Sequence, residues 1–181
     1  MAFDVKKLTL NAMQMDDYTK SWGGVDYNTF LFESWPTLIA DYNVTATTDA
    51  DSIRYLYPIA PDTKYVIDGL VEGAIVFYNA DAGTASTLTS FTVSLKKTDD
   101  VPSNETTIGT VTSTVSDSIA AETYGTYPFY FSCDGSDTDK HVGADELMLV
   151  YVEISHSGGD LEMSHASDSS NQDLIITIPI A

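Results

Sequence analysis

Residues 64–97, KYVIDGLVEGAIVFYNADAGTASTLTSFTVSLKK, decide the fold class. In the second half Phe91, Val93 and Leu95 alternate with Thr92, Ser94 and Lys96. That is the two-residue period of a half-buried strand, with one dry and one wet face. The first half, Val66 to Tyr78, is apolar on both faces and interrupted by Gly69 and Gly73, as in a long or kinked central strand. Asn79 to Thr87 between them offers only turn-forming and small residues. A strand, a loose loop and an alternating strand predict an antiparallel pair, the seed of an all-β sandwich.

Charge is the compositional anomaly. The 181 residues carry 27 acids against 8 bases, a formal net charge of −19. Twenty of the acids are Asp and seven of the bases are Lys, and the excess runs through both halves of the chain. Acidity spread over a folded domain makes the compact state repel itself. The Debye length falls from about 10 Å at 0.1 M salt to about 3 Å at 1 M, so molar salt removes most of that repulsion. The surface therefore reads as adapted to high salt. Direct nucleic-acid binding is disfavoured, because phosphate neutralisation needs Lys and Arg clusters that are missing here.

The single cysteine, Cys133, excludes an intrachain disulfide and sits in an alternating run as a small buried side chain. No leader-like or membrane-spanning apolar run is expected.

Residues 1–52 read as an arm and connector. Phe3, Val5, Leu8 and Leu10 suggest a short strand, and residues 11–24 allow a helical turn stopped by Gly23-Gly24. Residues 27–39 are aromatic-rich, and 41–52 form a polar connector. Residues 53–181 read as one sandwich with eight strand candidates, 53–58, 64–78, 88–97, 107–116, 126–133, 146–155, 160–165 and 173–180. Eight antiparallel strands fit a double-sheet jelly roll, with an immunoglobulin-like sandwich as the alternative.

Candidate chemistry is sparse. Asp134, Asp137 and Asp139, with Asp145 and Glu146 beyond them, could surround a hard cation, but the spacing of an EF-hand is missing. His141, His156 and His165 are dispersed, although the last two flank a turn and could face each other across a hairpin. No serine sits in a G-x-S-x-G elbow and no phosphate-binding glycine motif occurs, so no catalytic residue and no cofactor is assigned and an enzyme is not expected. Tyr124, Tyr127, Phe129, Tyr130 and Phe131 offer a sugar-stacking platform, yet Phe129 and Phe131 share a strand face that Tyr130 avoids, as core residues would. Asn43 and Asn104 lie in acceptor sequons on polar connections.

An aromatic N-terminal arm, eight strand segments and an acidic composition together resemble the smaller, single jelly-roll major capsid protein of haloarchaeal icosahedral viruses with an internal membrane. The resemblance covers the whole chain and rests on pattern, length and charge, because no short motif carries it. It implies a virion protein that forms capsomers with itself and a related capsid protein, above a membrane whose proteins are further partners. Trp22, Phe30, Phe32 and Trp35 are the expected interface residues, since aromatic side chains dominate the centres of interfaces. The alternatives are a glycan-binding sandwich on a spike or fibre, and a head-decoration or tail protein of a tailed halovirus.

Overall fold

The computed structural model describes residues 6–14, 20–22, 25–27, 29–33, 42–46, 52–57, 65–99, 104–133, 138–144, 146–165 and 174–180. Almost all of them lie in strands: β1 (Lys6–Gln14), β2 (Lys20–Trp22), β3 (Val25–Tyr27), β4 (Thr29–Phe32), β5 (Tyr42–Ala46), β6 (Ser52–Leu56), β7 (Tyr65–Val66), β8 (Gly69–Asn79), β9 (Ser86–Thr98), β10 (Thr106–Ile119), β11 (Tyr124–Cys133), β12 (His141–Val142), β13 (Leu147–Gly158), β14 (Leu161–His165) and β15 (Leu174–Ile180). Each of the eight expected segments overlaps one of these strands, and 64–78 overlaps two, β7 and β8.

The architecture is the expected antiparallel sandwich. One layer runs β10-β9-β13-β6; the other places β8 between β11 on one side and β15 and β14 on the other, with β1 beyond β15 and β5 beyond β14. A single parallel bridge, Phe30↔Leu56, joins β4 to β6 and links the layers at one margin. Successive strands cross between layers in jelly-roll fashion: β6 to β8, β8 to β9, β10 to β11, β11 to β13 and β13 to β14. β8 and β13, apolar on both faces, are flanked by strands on both sides, as is the alternating β9.

The quoted stretch is therefore not a hydrogen-bonded hairpin, as its pattern predicted. β8 and β9 lie in opposite layers and meet through side chains, Phe77 against Phe91 edge-on at 5.9 Å between centroids. The reason lies in the connection. Asp81 accepts hydrogen bonds from the amides of Gly83 and Thr84 at 2.8 Å each, and Asn79 donates to the Thr84 and Ile119 carbonyls. This braced loop carries the chain across the roughly 10 Å between stacked sheets.

Two bulges explain departures from strict alternation. Ile108 and Val111 both face inward although three residues apart, because the β10–β9 register shifts between Thr107 and Gly109. Leu88 and Phe91 do the same in β9, where the pairing with β13 shifts between Ser155 and His156. An extra residue reverses the facing of everything beyond it.

The core fills the space between layers. Phe77, Phe91 and Tyr127 form a ring cluster with centroids 5.8–6.0 Å apart, and the Tyr55 hydroxyl reaches the Met163 sulfur at 4.0 Å. Each such large side chain contributes about 1.5–3 kcal/mol through burial. Cys133 is fully buried.

Residues 1–52 contribute strands as well. β1 hydrogen-bonds β15 on one side and β4 on the other, and Tyr57 donates to Glu33. Of the span 11–24, where a helical turn was allowed, the described residues are strand: Asn11–Gln14 end β1, and Lys20–Trp22 form β2, paired with β3; 15–19 and 23–24 lie outside the described residues. The polar connector holds β5, paired with β14.

Candidate functional site

The described cations are turned to internal work. Glu105 accepts from Arg54 Nε at 2.7 Å and from Lys96 Nζ at 2.8 Å, and both cations lie over the Tyr151 ring, at 4.8 and 4.4 Å. Burial opposes ionisation of Glu105, but the hydrogen bonds and charges of Lys96 and Arg54 outweigh it and hold the carboxyl below its ordinary range. Lys97 pairs with Glu146 at 3.2 Å and donates to the His141 carbonyl at 2.7 Å, and Lys140 is buried. Among the cations whose side chains are described, Lys7 alone stands mainly in solvent. Among the described side chains the outward charge is thus more one-sided than the composition states.

The described residues of the candidate cation loop form no cluster. Asp139 is exposed on a short 3-10 turn, and Glu146 is engaged by Lys97 and by the Gly143 amide. Asp134, Asp137 and Asp145 lie outside the described residues. Among the described residues no three His, Cys, Asp or Glu side chains converge as a metal site would require.

His156 and His165 fall in opposite layers, so they do not face each other across a hairpin. His156 Nδ1 instead meets Ser86 Oγ at 3.2 Å. A Ser–His pair is a nucleophile–base geometry, but Ser86 is fully buried and lines no described groove. The pair ties β9 to β13.

Trp22 lies in β2, and Phe30 and Phe32 lie in β4, but their side chains, and Trp35 altogether, fall outside the described residues. Asn104 is exposed, as a sequon on a connection should be; Asn43 lies in β5.

The aromatic run of β11 divides by face as its alternation predicts. Tyr127, Phe129 and Phe131 point into the core, while Tyr124 and Tyr130 point out. The Tyr127 hydroxyl donates to Asp117 at 2.8 Å; burial first, then the carboxylate, push its pKa well up. Gly73 is obligatory behind this strand, because a Cβ there would lie 2.3 Å from the Ile175 carbonyl oxygen and 2.5 Å from the Phe129 ring.

The outer face of the β8–β11 pair holds a shallow groove of about 610 Å³, lined by Leu70, Glu72, Pro128, Tyr130, Ile175 and Thr177 among others. Sequence reasoning singled out Tyr130 but missed the groove, because cross-strand register brings its parts together. Tyr130 lies opposite Glu72, which lies opposite Thr177 on β15, itself opposite Thr9 on β1. Lys7 pairs with Glu72 at 3.5 Å. The large hydrophobics exposed among the described residues are Leu70, Tyr124 and Tyr130, all on this face.

No protein-family model matches the chain, and no curated protein matches it. Solved structures do. A CocE/NonD family hydrolase from Staphylococcus aureus aligns over 98% of this chain with a TM-score of 0.62 at 9% identity, and the chain spans 37% of that hydrolase. The Eiger TNF of S. frugiperda aligns over 97% of this chain and 93% of its own, at 10% identity and a TM-score of 0.41. Infectious bursal disease virus, Gx strain, aligns over 96% and 57% at 14% identity, with a TM-score of 0.29. The hydrolase match shows a shared fold; the other two scores are too low to carry an argument. That match also corrects the expectation from missing motifs that the chain is no enzyme: the fold occurs as part of a hydrolase, and motif absence does not separate the two. Among the described residues no helix is long and apolar enough to cross a membrane.

Proposed function

We propose that this chain is a structural assembly subunit of capsid type, acting in a virion at high salt. The observation that carries the reading is the division of its surface. Cations are drawn inward around Glu105, Tyr151 and Glu146, while a face almost free of net charge bears the exposed hydrophobics. Outward acids keep such a subunit dispersed until concentrated ions screen them, and an exposed apolar patch marks a contact.

The finer reading follows the resemblance. Copies of the chain join a second, related capsid protein in capsomers of an icosahedral shell above a membrane, with Trp22, Phe30, Phe32 and Trp35 in residues 1–52 at the contacts. Electron microscopy of the full chain in molar potassium chloride, alone and with a co-expressed partner, tests it. Regular capsomers or shell fragments support the role. Dispersed single molecules under every condition would remove it.

The second reading, a glycan-binding module, is favoured by one feature, the exposed Tyr130 ring beside the Glu72 carboxylate. Binding of the purified chain to a glycan array would select it.

A further inference from the structure

We propose that the outer β8–β11 face docks a second copy of this chain across a two-fold axis, with Tyr130 and Leu70 of each copy entering the groove of the other. The proposal rests on the assembly role above and names the surface that performs it.

Electrostatics selects the occupant. Salt screens charges in solvent but much less those enclosed in a contact, so two molecules of net charge −19 associate best where neither presents uncompensated acid. β11 has no charged residue. The carboxylate of the groove, Glu72, is matched by Lys7. Among the described residues, exposed acids flank this face at its margins, Asp68 before β8 and Glu122 before β11. A neutral apolar centre inside a charged rim is the anatomy of a protein interface.

Shape selects the arrangement. Tyr130 is 70% and Leu70 51% exposed, and both border a depression of about 610 Å³. A projection beside a hollow on one face is self-complementary under a two-fold rotation, as an isologous contact requires. Tyr124, 48% exposed and packed on Tyr78 at 4.6 Å between centroids, extends the apolar surface toward one end. Strand addition at the β11 edge is a poorer route, because Pro128 at its middle has no amide to donate.

The test is sedimentation velocity of the full chain in molar potassium chloride, for wild type, Leu70→Glu, Tyr130→Glu and Thr112→Glu. Thr112 is exposed on β10, in the other layer, and serves as the control. All the substituted side chains are exposed, and circular dichroism checks that each variant is folded. The proposal expects wild type and Thr112→Glu to sediment as dimers or larger species, and Leu70→Glu and Tyr130→Glu to lose at least two-fold in mass. If all four assemble equally, this face is not the contact, although the assembly role stands. A wild type that stays monomeric in molar salt overturns the role and this proposal together. If that monomer binds soluble oligosaccharide and Tyr130→Glu does not, the face belongs to a glycan.

Discussion

Phe77 on β8 and Phe91 on β9 meet edge-to-face at 5.9 Å although their strands share no ladder, so the stretch that names the fold spans both layers. Phe91→Ala should cost about 3–5 kcal/mol, from lost transfer energy plus the cavity left behind. Phe77→Ala should cost a similar amount. The double variant should fall short of the sum by about 0.5–1.5 kcal/mol, the coupling of an aromatic pair. Urea unfolding in constant molar salt measures the cycle, and strict additivity would mean the rings are not in contact.

Gly73 tests the β8–β11–β15 junction. Gly73→Ala drives a methyl into the Ile175 carbonyl and the Phe129 ring and should cost about 1–3 kcal/mol or more. Gly83→Ala, whose new methyl meets nothing nearer than Asp81 Oδ1 at 3.9 Å, should stay within about 0.5 kcal/mol of wild type. Equal melting temperatures for the two variants would contradict the packing.

Glu105→Gln should destabilise the protein by about 1.5–3 kcal/mol at neutral pH, because Arg54 and Lys96 keep their places over Tyr151 without the charge that compensates them. The folded carboxyl has a lowered pKa. Its contribution is therefore present above the ordinary Glu value of about 4.3 and is lost as pH falls through the folded value. The stability gap between wild type and Glu105→Gln should close in that acid window, and a gap independent of pH would refute the assignment.

Tyr127 predicts the opposite limb. Its raised pKa makes the neutral phenol the folded species. The contribution is complete below the ordinary tyrosine value of about 10 and is lost as pH rises toward the folded one. Tyr127→Phe should cost about 1 kcal/mol at neutral pH and lose less stability than wild type above pH ~10. A wild type and variant with parallel alkaline profiles would exclude the Asp117 hydrogen bond as its cause.

What could be read from the chain follows from the range of each signal. Alternation is local, so β9 and β11 were visible down to the facing of Tyr130 and Phe131. Apolarity on both faces was equally visible, and it singled out β8. Pairing was not visible, because Asn79 and Asp81 brace a connection of hairpin length as a crossover, and nothing in the alternation reports that. β5 was missed because the alternation of Tyr42, Val44 and Ala46 with Asn43 and Thr45 is only five residues long and is flanked by threonines and aspartates. The groove needed register: Leu70, Pro128 and Ile175 are distant in sequence and become neighbours only once three strands align.

Concentrated ions are expected to hold this acidic sandwich folded and associated. The most direct measurement is the mass and far-ultraviolet circular dichroism of the full chain in one titration, from molar potassium chloride down to dilute buffer. Folded species heavier than the 19.7 kDa chain are expected at the high end, with dissociation followed by loss of β signal as salt is withdrawn. A folded monomer of unchanged spectrum at both ends would contradict it.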